Sequence, residues 1–179
     1  MINPDNIILI GFICSGKTTL GKKLASILNK TFIDLDEYIE KKTNKSINEI
    51  FEIYGSSFFR KIENECLFEV ISKNNGIVLA TGGGTPCFFN NLDLLLEYGI
   101  VIYLKVDLKI LINRILNMPE KFPLLKGIKY NEIPNWVENT LIEREKFYLK
   151  AHLIINPINN SIEKIVNIID FYKKNLSSF

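Results

Sequence analysis

Ile7-Ile8-Leu9-Ile10 is an unbroken aliphatic run, and Gly11-Phe-Ile-Cys-Ser-Gly16-Lys17-Thr18 follows it without a gap. Such a run reads as a short strand buried on both faces. Over residues 17–28, apolar side chains recur at Leu20, Leu24, Ile27 and Leu28, the stripe of an amphipathic helix. A strand that passes into a helix through G-x-x-x-x-G-K-T is the setting in which this pattern binds phosphate. The glycines let the backbone curl until successive N–H groups point inward, and the helix adds the positive end of its dipole. On this reading Lys17 reaches the β- and γ-phosphates of a nucleotide and the Thr18 hydroxyl binds Mg²⁺. Gly11, Cys14, Ser15, Gly16 and Thr19 complete the cradle, with Cys14 and Ser15 contributing backbone N–H groups alone.

The remaining chain repeats this rhythm. Residues 31–33, Ile77–Ala80, Ile100–Leu104 and Leu153–Ile155 are further strand-like runs separated by helical patterns. Ser46-Ile-Asn-Glu49 reads as a capping box opening a helix that Gly55 closes, with Ser56 or Ser57 capping the next. Asp107 precedes the stripe Leu108, Leu111, Ile112 and Ile115; Asn160 precedes Ile162, Ile165, Val166 and Ile169. The alternation predicts a three-layer α/β domain, residues 1–179, with a five-stranded parallel sheet between helices. Residues 117–135 interrupt it with Pro119, Pro123, Gly127 and Pro134. An irregular segment of that length in a compact domain is either a lid or disordered.

Composition narrows the class. A net charge of +2 gives no broad electrostatic footprint, which argues against nucleic acid or a membrane surface as the main partner. Three widely spaced cysteines, Cys14, Cys66 and Cys87, form neither a disulfide framework nor a zinc pattern and fit a reducing cytoplasm. No apolar run approaches the roughly 18 residues of a spanning helix, and the N-terminus lacks the basic start of a secretion signal.

Three further stretches bear on what the phosphate goes to. Asp34-Leu-Asp36 ends the second strand with two carboxylates, available for metal-bound water and for a polyol hydroxyl; capping of the following helix by Asp36 explains it equally well. Phe-Phe59-Arg60-Lys-Ile-Glu63 holds either a surface ion pair or a guanidinium fork for a carboxylate. Thr81-Gly82-Gly83-Gly84 marks a tight turn or a place where a ligand approaches the main chain.

Taken in order, the phosphate loop, "FIDLD", "FFRKIE", "TGGG", "PLL" at residues 123–125 and the arginine of "EREKFY" resemble the shikimate kinase family, from about residue 7 to 156. The resemblance implies transfer of the ATP γ-phosphate to the 3-hydroxyl of shikimate, on a P-loop kinase fold with a mobile lid. It implies that Asp36 binds the shikimate hydroxyls and is the candidate base, and that Asp34 stands in the outer sphere of Mg²⁺. Arg60 and Arg144 would clamp the shikimate carboxylate, Gly82, Gly83 and Gly84 would pack along its ring, and Arg114 would approach the adenine with residues 156–161. Shikimate and ATP are then the small-molecule partners of an expected cytoplasmic monomer.

One departure stands out. The family pattern carries an arginine directly before the lid proline, where this chain has Phe122. Lys121 is the expected substitute, with Lys126 behind it, although an ammonium cannot copy a planar fork. "EREKFY" also lacks the proline usual in the family pattern between that arginine and the tyrosine. Two rivals differ in what they need. A gluconate- or nucleoside-monophosphate-type kinase would not need the triple glycine with Arg60 and Arg144; a guanine-nucleotide switch would carry N-K-x-D, which is missing. His152 is expected to be structural, and Trp136 to anchor the helix after the lid.

Overall fold

The computed structural model describes residues 2–176. In chain order they form β1 (Ile7–Ile10), α1 (Lys17–Ile27), β2 (Thr31–Asp34), α2 (Leu35–Thr43), α3 (Ile47–Lys73), β3 (Ile77–Ala80), α4 (Asn91–Tyr98), β4 (Ile100–Leu104), α5 (Leu108–Leu116), α6 (Ile133–Tyr148), β5 (Leu153–Ile155) and α7 (Ile162–Leu176). The strands make one parallel sheet in the order β2-β3-β1-β4-β5. Alternate residues of a strand face opposite sides. Ile8, Ile10, Leu79, Val101 and Tyr103 therefore pack on one core, under α2 to α6, while Ile7, Leu9, Val78, Ile100 and Ile102 pack on the other, under α1 and α7. This is the expected three-layer domain, with every residue of β1, β3 and β4 buried.

Register lines up the carboxyl ends that matter: Leu9 pairs with Ala80, and Asp34 pairs with Ala80 from the other side. Loops leaving β1, β2 and β3 thus emerge side by side. At the opposite rim, the fully buried Asn6 joins three segments. Its side chain donates to the Tyr98 carbonyl (2.9 Å) and accepts from Gly76 N–H (2.7 Å) and Ile77 N–H (3.3 Å), while its carbonyl accepts from Ile100 N–H (2.9 Å).

Several local expectations hold. Ser46 and Glu49 form the reciprocal capping box, Asp107 caps α5 through Lys109 N–H, and Ile165 and Ile169 face the core. His152 Nδ1 accepts from Val101 N–H at 3.0 Å, a structural role. Trp136 packs against Phe12, ring centroids 6.4 Å apart.

Others need correction. Asp34, not Asp36, caps α2, accepting from Asp36 and Glu37 N–H, because the helix begins at Leu35. Ser161, whose hydroxyl accepts from Lys164 N–H, stands at the start of α7; the Asn160 amide instead bonds the Asn156 carbonyl. Ile27 is 54% exposed, and Gly21 and Ala25 fill the buried stripe of α1 in its place. The Gly55 expectation, by contrast, holds: its backbone leaves helical geometry (φ 79°, ψ 172°), and the span α3 is two helices that meet at a kink there. Residues 117–135 are not wholly irregular. They hold three single 3₁₀ turns, Pro119–Lys121, Pro123–Leu125 and Tyr130–Glu132, followed by the first turn of α6, with Leu125 buried beneath.

Candidate active site

The loop between β1 and α1 turns through positive φ at Gly11 (143°), Cys14 (61°) and Gly16 (94°). The two glycines take these values without a Cβ penalty. Lys17 Nζ donates to the carbonyls of Gly11 (2.9 Å) and Phe12 (2.8 Å) and more weakly to Ser15 Oγ (3.4 Å), so the Ser15 side chain takes part as well as its backbone. Burial outweighs the neighbouring Asp36 and Asp34 carboxylates and pulls the Lys17 ammonium down to about 8. Arg114 Nη1 donates to the Cys14 carbonyl at 2.8 Å, bracing the loop from α5. Thr18 Oγ1 donates to Asp34 Oδ2 at 2.7 Å, so one carboxylate ties the starts of α1 and α2 together.

Two cavities open at this rim. One, of about 510 Å³, is walled by Cys14, Gly16, Lys17, Thr18, Thr19, Asp34 and Arg114 among others. The second, of about 370 Å³, is walled by Arg60, Glu63, Gly82, Gly84, Lys121 and Arg144 with apolar Phe51 and Phe59. Asp36, Gly83, Ile13 and Phe122 belong to both walls. Asp36 therefore stands where the two spaces meet. Burial, then the Glu63 and Asp34 carboxylates, push its own carboxyl up to about 7.

Arg60 and Glu63 are not a surface pair. Arg60 is 7% exposed and Glu63 fully buried, with Nη1 to Oε2 at 2.6 Å. The other Glu63 oxygen accepts from Thr85 Oγ1 at 2.6 Å. The Thr85 carbonyl in turn accepts from Asn91 Nδ2 (3.0 Å), whose amide oxygen accepts from Asn64 (2.6 Å). Both Glu63 oxygens are thus occupied, and the Nη1 side of Arg60 is held in place. The three glycines explain themselves here by close approach rather than by unusual φ. A Cβ at Gly82 would meet Glu63 Oε1 at 2.8 Å and Asp36 Oδ1 at 3.0 Å, one at Gly83 would meet Ile13, and one at Gly84 would fall 2.5 Å from Arg60 Nη2. Tyr148 of α6 donates its hydroxyl to the Gly83 carbonyl.

Arg144 reaches the same cavity from α6, its Cζ 5.7 Å from the Phe12 ring centroid. Lys121 also lines it, whereas Lys126 turns outward to pair with Glu52 at 2.8 Å. Residues 156–161 form a loop in which the Asn156 side chain accepts from Ile158 and Asn159 N–H, apart from both cavity walls. Glu63, Thr85 and Tyr148 are the site residues that sequence reasoning did not single out as such. For Glu63 a signal existed. Phe59, Arg60, Glu63, Cys66, Leu67 and Val70 recur at helical spacing, so the two charges lie on the buried stripe.

The family model for shikimate kinase matches residues 13–172. This chain belongs to the shikimate kinase family. A shikimate kinase of Azobacteroides pseudotrichonymphae is 45% identical over 148 residues, 83% of this chain and 87% of its own length. One from Clostridium botulinum is 41% identical over 171 residues, covering 95% and 97%. Among solved structures, the Acinetobacter baumannii shikimate kinase in complex with shikimate superposes with a TM-score of 0.80 at 34% identity, over 96% of this chain and 90% of the other. A gluconokinase from Sinorhizobium meliloti, 13% identical with a TM-score of 0.57, shares the fold alone. As a shikimate kinase, the protein is an ATP-dependent phosphotransferase of the shikimate pathway.

Proposed function

We propose that shikimate occupies the 370 Å³ cavity and ATP the larger one, with Asp36 taking the proton of the 3-hydroxyl as its oxygen attacks the γ-phosphorus and the bond to ADP breaks. The observation that carries this reading is the presence of Asp36 in both cavity walls, with a carboxyl held near neutrality. A base works best when its pKa lies near the working pH. Arg60 and Arg144 take the shikimate carboxylate, and Phe51, Phe59 and Phe122 bound the ring. Lys17 and the loop N–H groups hold the phosphates, braced by Arg114. The test is ADP release measured with and without shikimate. Release is expected only with it, and turnover indifferent to added shikimate would refute the assignment.

Thr18 and Asp34 fit Mg²⁺. A hydroxyl and a carboxylate oxygen already 2.7 Å apart are the hard donors that ion takes. No cluster of three or more His, Cys, Asp or Glu suited to a metal occurs among the described residues, so phosphate oxygens and water would supply the other ligands. When bound, Mg²⁺ neutralises charge on the phosphates. Every side chain this reading uses comes from one chain, so a monomer is sufficient for it. The same reading makes the enzyme cytoplasmic, where Cys14, Cys66 and Cys87 persist as thiols.

Lys121 stands in for the arginine that Phe122 replaces. It lines the shikimate cavity, lies close enough to Cys14 for its charge to act on that thiol, and has Lys126 removed from competition by Glu52. Lys121→Ala is expected to lower kcat by about 10-fold or more, less than the full effect of a transition-state arginine. Unchanged turnover would refute the role.

A further inference from the structure

Arg60 is held from more sides than its ion pair. Glu63 takes Nη1, the Phe59 ring centroid lies 5.0 Å from Cζ, and the Phe88 ring centroid lies closer, at 4.3 Å. Phe59 forms part of the cavity wall; Phe88 does not. Phe88 belongs to the loop after β3, beyond the 3₁₀ turn Thr85–Cys87, and is itself 39% exposed. It is absent from both core clusters, so core packing does not account for its position.

The backbone around it points the same way. Phe88 is extended (φ −122°, ψ 149°), and the next residue, Phe89, sits at φ 52°. A bulky L-residue in the left-handed region costs about 1–2 kcal/mol. Phe89 is 63% exposed, so burial of its own ring does not offset that cost. The reverse turn leaves Phe88 against the guanidinium.

We propose that Phe88 is a positioning residue for shikimate: its ring closes the back of the Arg60 guanidinium and fixes the plane in which that group presents its Nη2 edge, over Gly84, to the substrate carboxylate. The inference rests on the assignment of Arg60 to that carboxylate. An aromatic face attracts a guanidinium, the more so when water is excluded, and a charge-assisted fork depends on its plane. A dry back side also strengthens the bonds made at the front.

Steady-state kinetics of the full chain test this, with Phe88→Ala, Phe88→Leu and Phe88→Tyr, each alone, and with Phe88→Ala also in an Arg60→Ala background. Phe88→Ala is expected to raise KM for shikimate by about 5–30-fold, with kcat and KM for ATP changed by less than about threefold. Phe88→Tyr keeps the ring and should restore the shikimate KM; Phe88→Leu keeps apolar bulk and should not. In the Arg60→Ala background, Phe88→Ala should add less than about twofold, because nothing remains to position. A shikimate KM unmoved by Phe88→Ala, a Phe88→Leu enzyme equal to wild type, or the same factor with and without Arg60 would overturn the proposal. If Arg60→Ala itself leaves that KM unchanged, the carboxylate assignment falls first and this inference falls with it. Far-UV circular dichroism and melting curves identify any variant that is merely unfolded, and Phe88→Tyr, with its near-identical shape, keeps the comparison interpretable.

Discussion

Asp36→Asn is expected to lower kcat/KM by about 10²–10⁴-fold and, at the same time, to raise the melting temperature. The first effect is loss of the base. The second follows from the direction of its pKa. The folded chain holds the carboxyl up at about 7, against an ordinary value near 3.8, chiefly by burial and then by Glu63 and Asp34. Between about pH 4 and 7 the native state keeps a proton that the unfolded chain has released, so this group makes stability fall as pH rises through that window. Above pH 7 the ionised carboxylate is a standing cost, and the amide removes it. A chain of this size gains about 2–4 °C per kcal/mol. The difference in melting temperature between variant and wild type should be small below about pH 4 and grow through that window to several degrees or more by pH 8. A variant that melts at or below the wild type at pH 8 would contradict the electrostatic account, whatever its activity. In the wild type, the acid limb of kcat/KM should fall near 7, where Asp36 must be ionised, and the basic limb near 8, where Lys17 must stay charged.

Gly84→Ala should act almost entirely on shikimate. At φ −96°, ψ −13° an alanine is unstrained, so any effect comes from space alone. The new methyl carbon would lie 2.5 Å from Arg60 Nη2 and 2.8 Å from Cζ, and Arg60 cannot yield freely because Glu63 and two rings hold it. Displacement of the guanidinium by about an ångström is worth on the order of 10² in rate. kcat/KM for shikimate is therefore expected to fall about 100-fold, with KM for ATP near the wild-type value, in the same ADP-release assay. Overpacking should also lower stability by about 1–3 kcal/mol. A rise in both Michaelis constants together would mean that the loop from β1, which Gly83 touches through Ile13, had moved instead.

Much of this arrangement was legible before any coordinates. Aliphatic runs located β1, β3 and β4 because parallel strands buried on both faces carry little else; the expected edge strands β2 and β5 are in place but partly exposed, and the phosphate loop, Asp36, Arg60, the glycine run and Arg144 all reach the same rim. What escaped depended on side-chain placement between distant segments. Arg60 and Glu63 read as a solvated helical pair in isolation; only the surrounding stripe shows that they face inward. Asp34 and Asp36 are both able caps, and the choice between them turned on where α2 starts, a matter of one residue. The glycines read as a tight turn or a ligand's approach, and they do line the cavity; that the space a Cβ would need is also taken by Arg60, Glu63, Asp36 and Ile13 is something local spacing does not encode. The single turns within residues 117–135 are too short to impose a period.

The Asn6 junction has a practical corollary. It clasps the amino-terminal ends of the strands on the rim opposite the chemistry. Robustness and turnover are thus housed at opposite poles of one slab, and an engineer can anchor, label or immobilise the enzyme through the first pole without trespassing on the second.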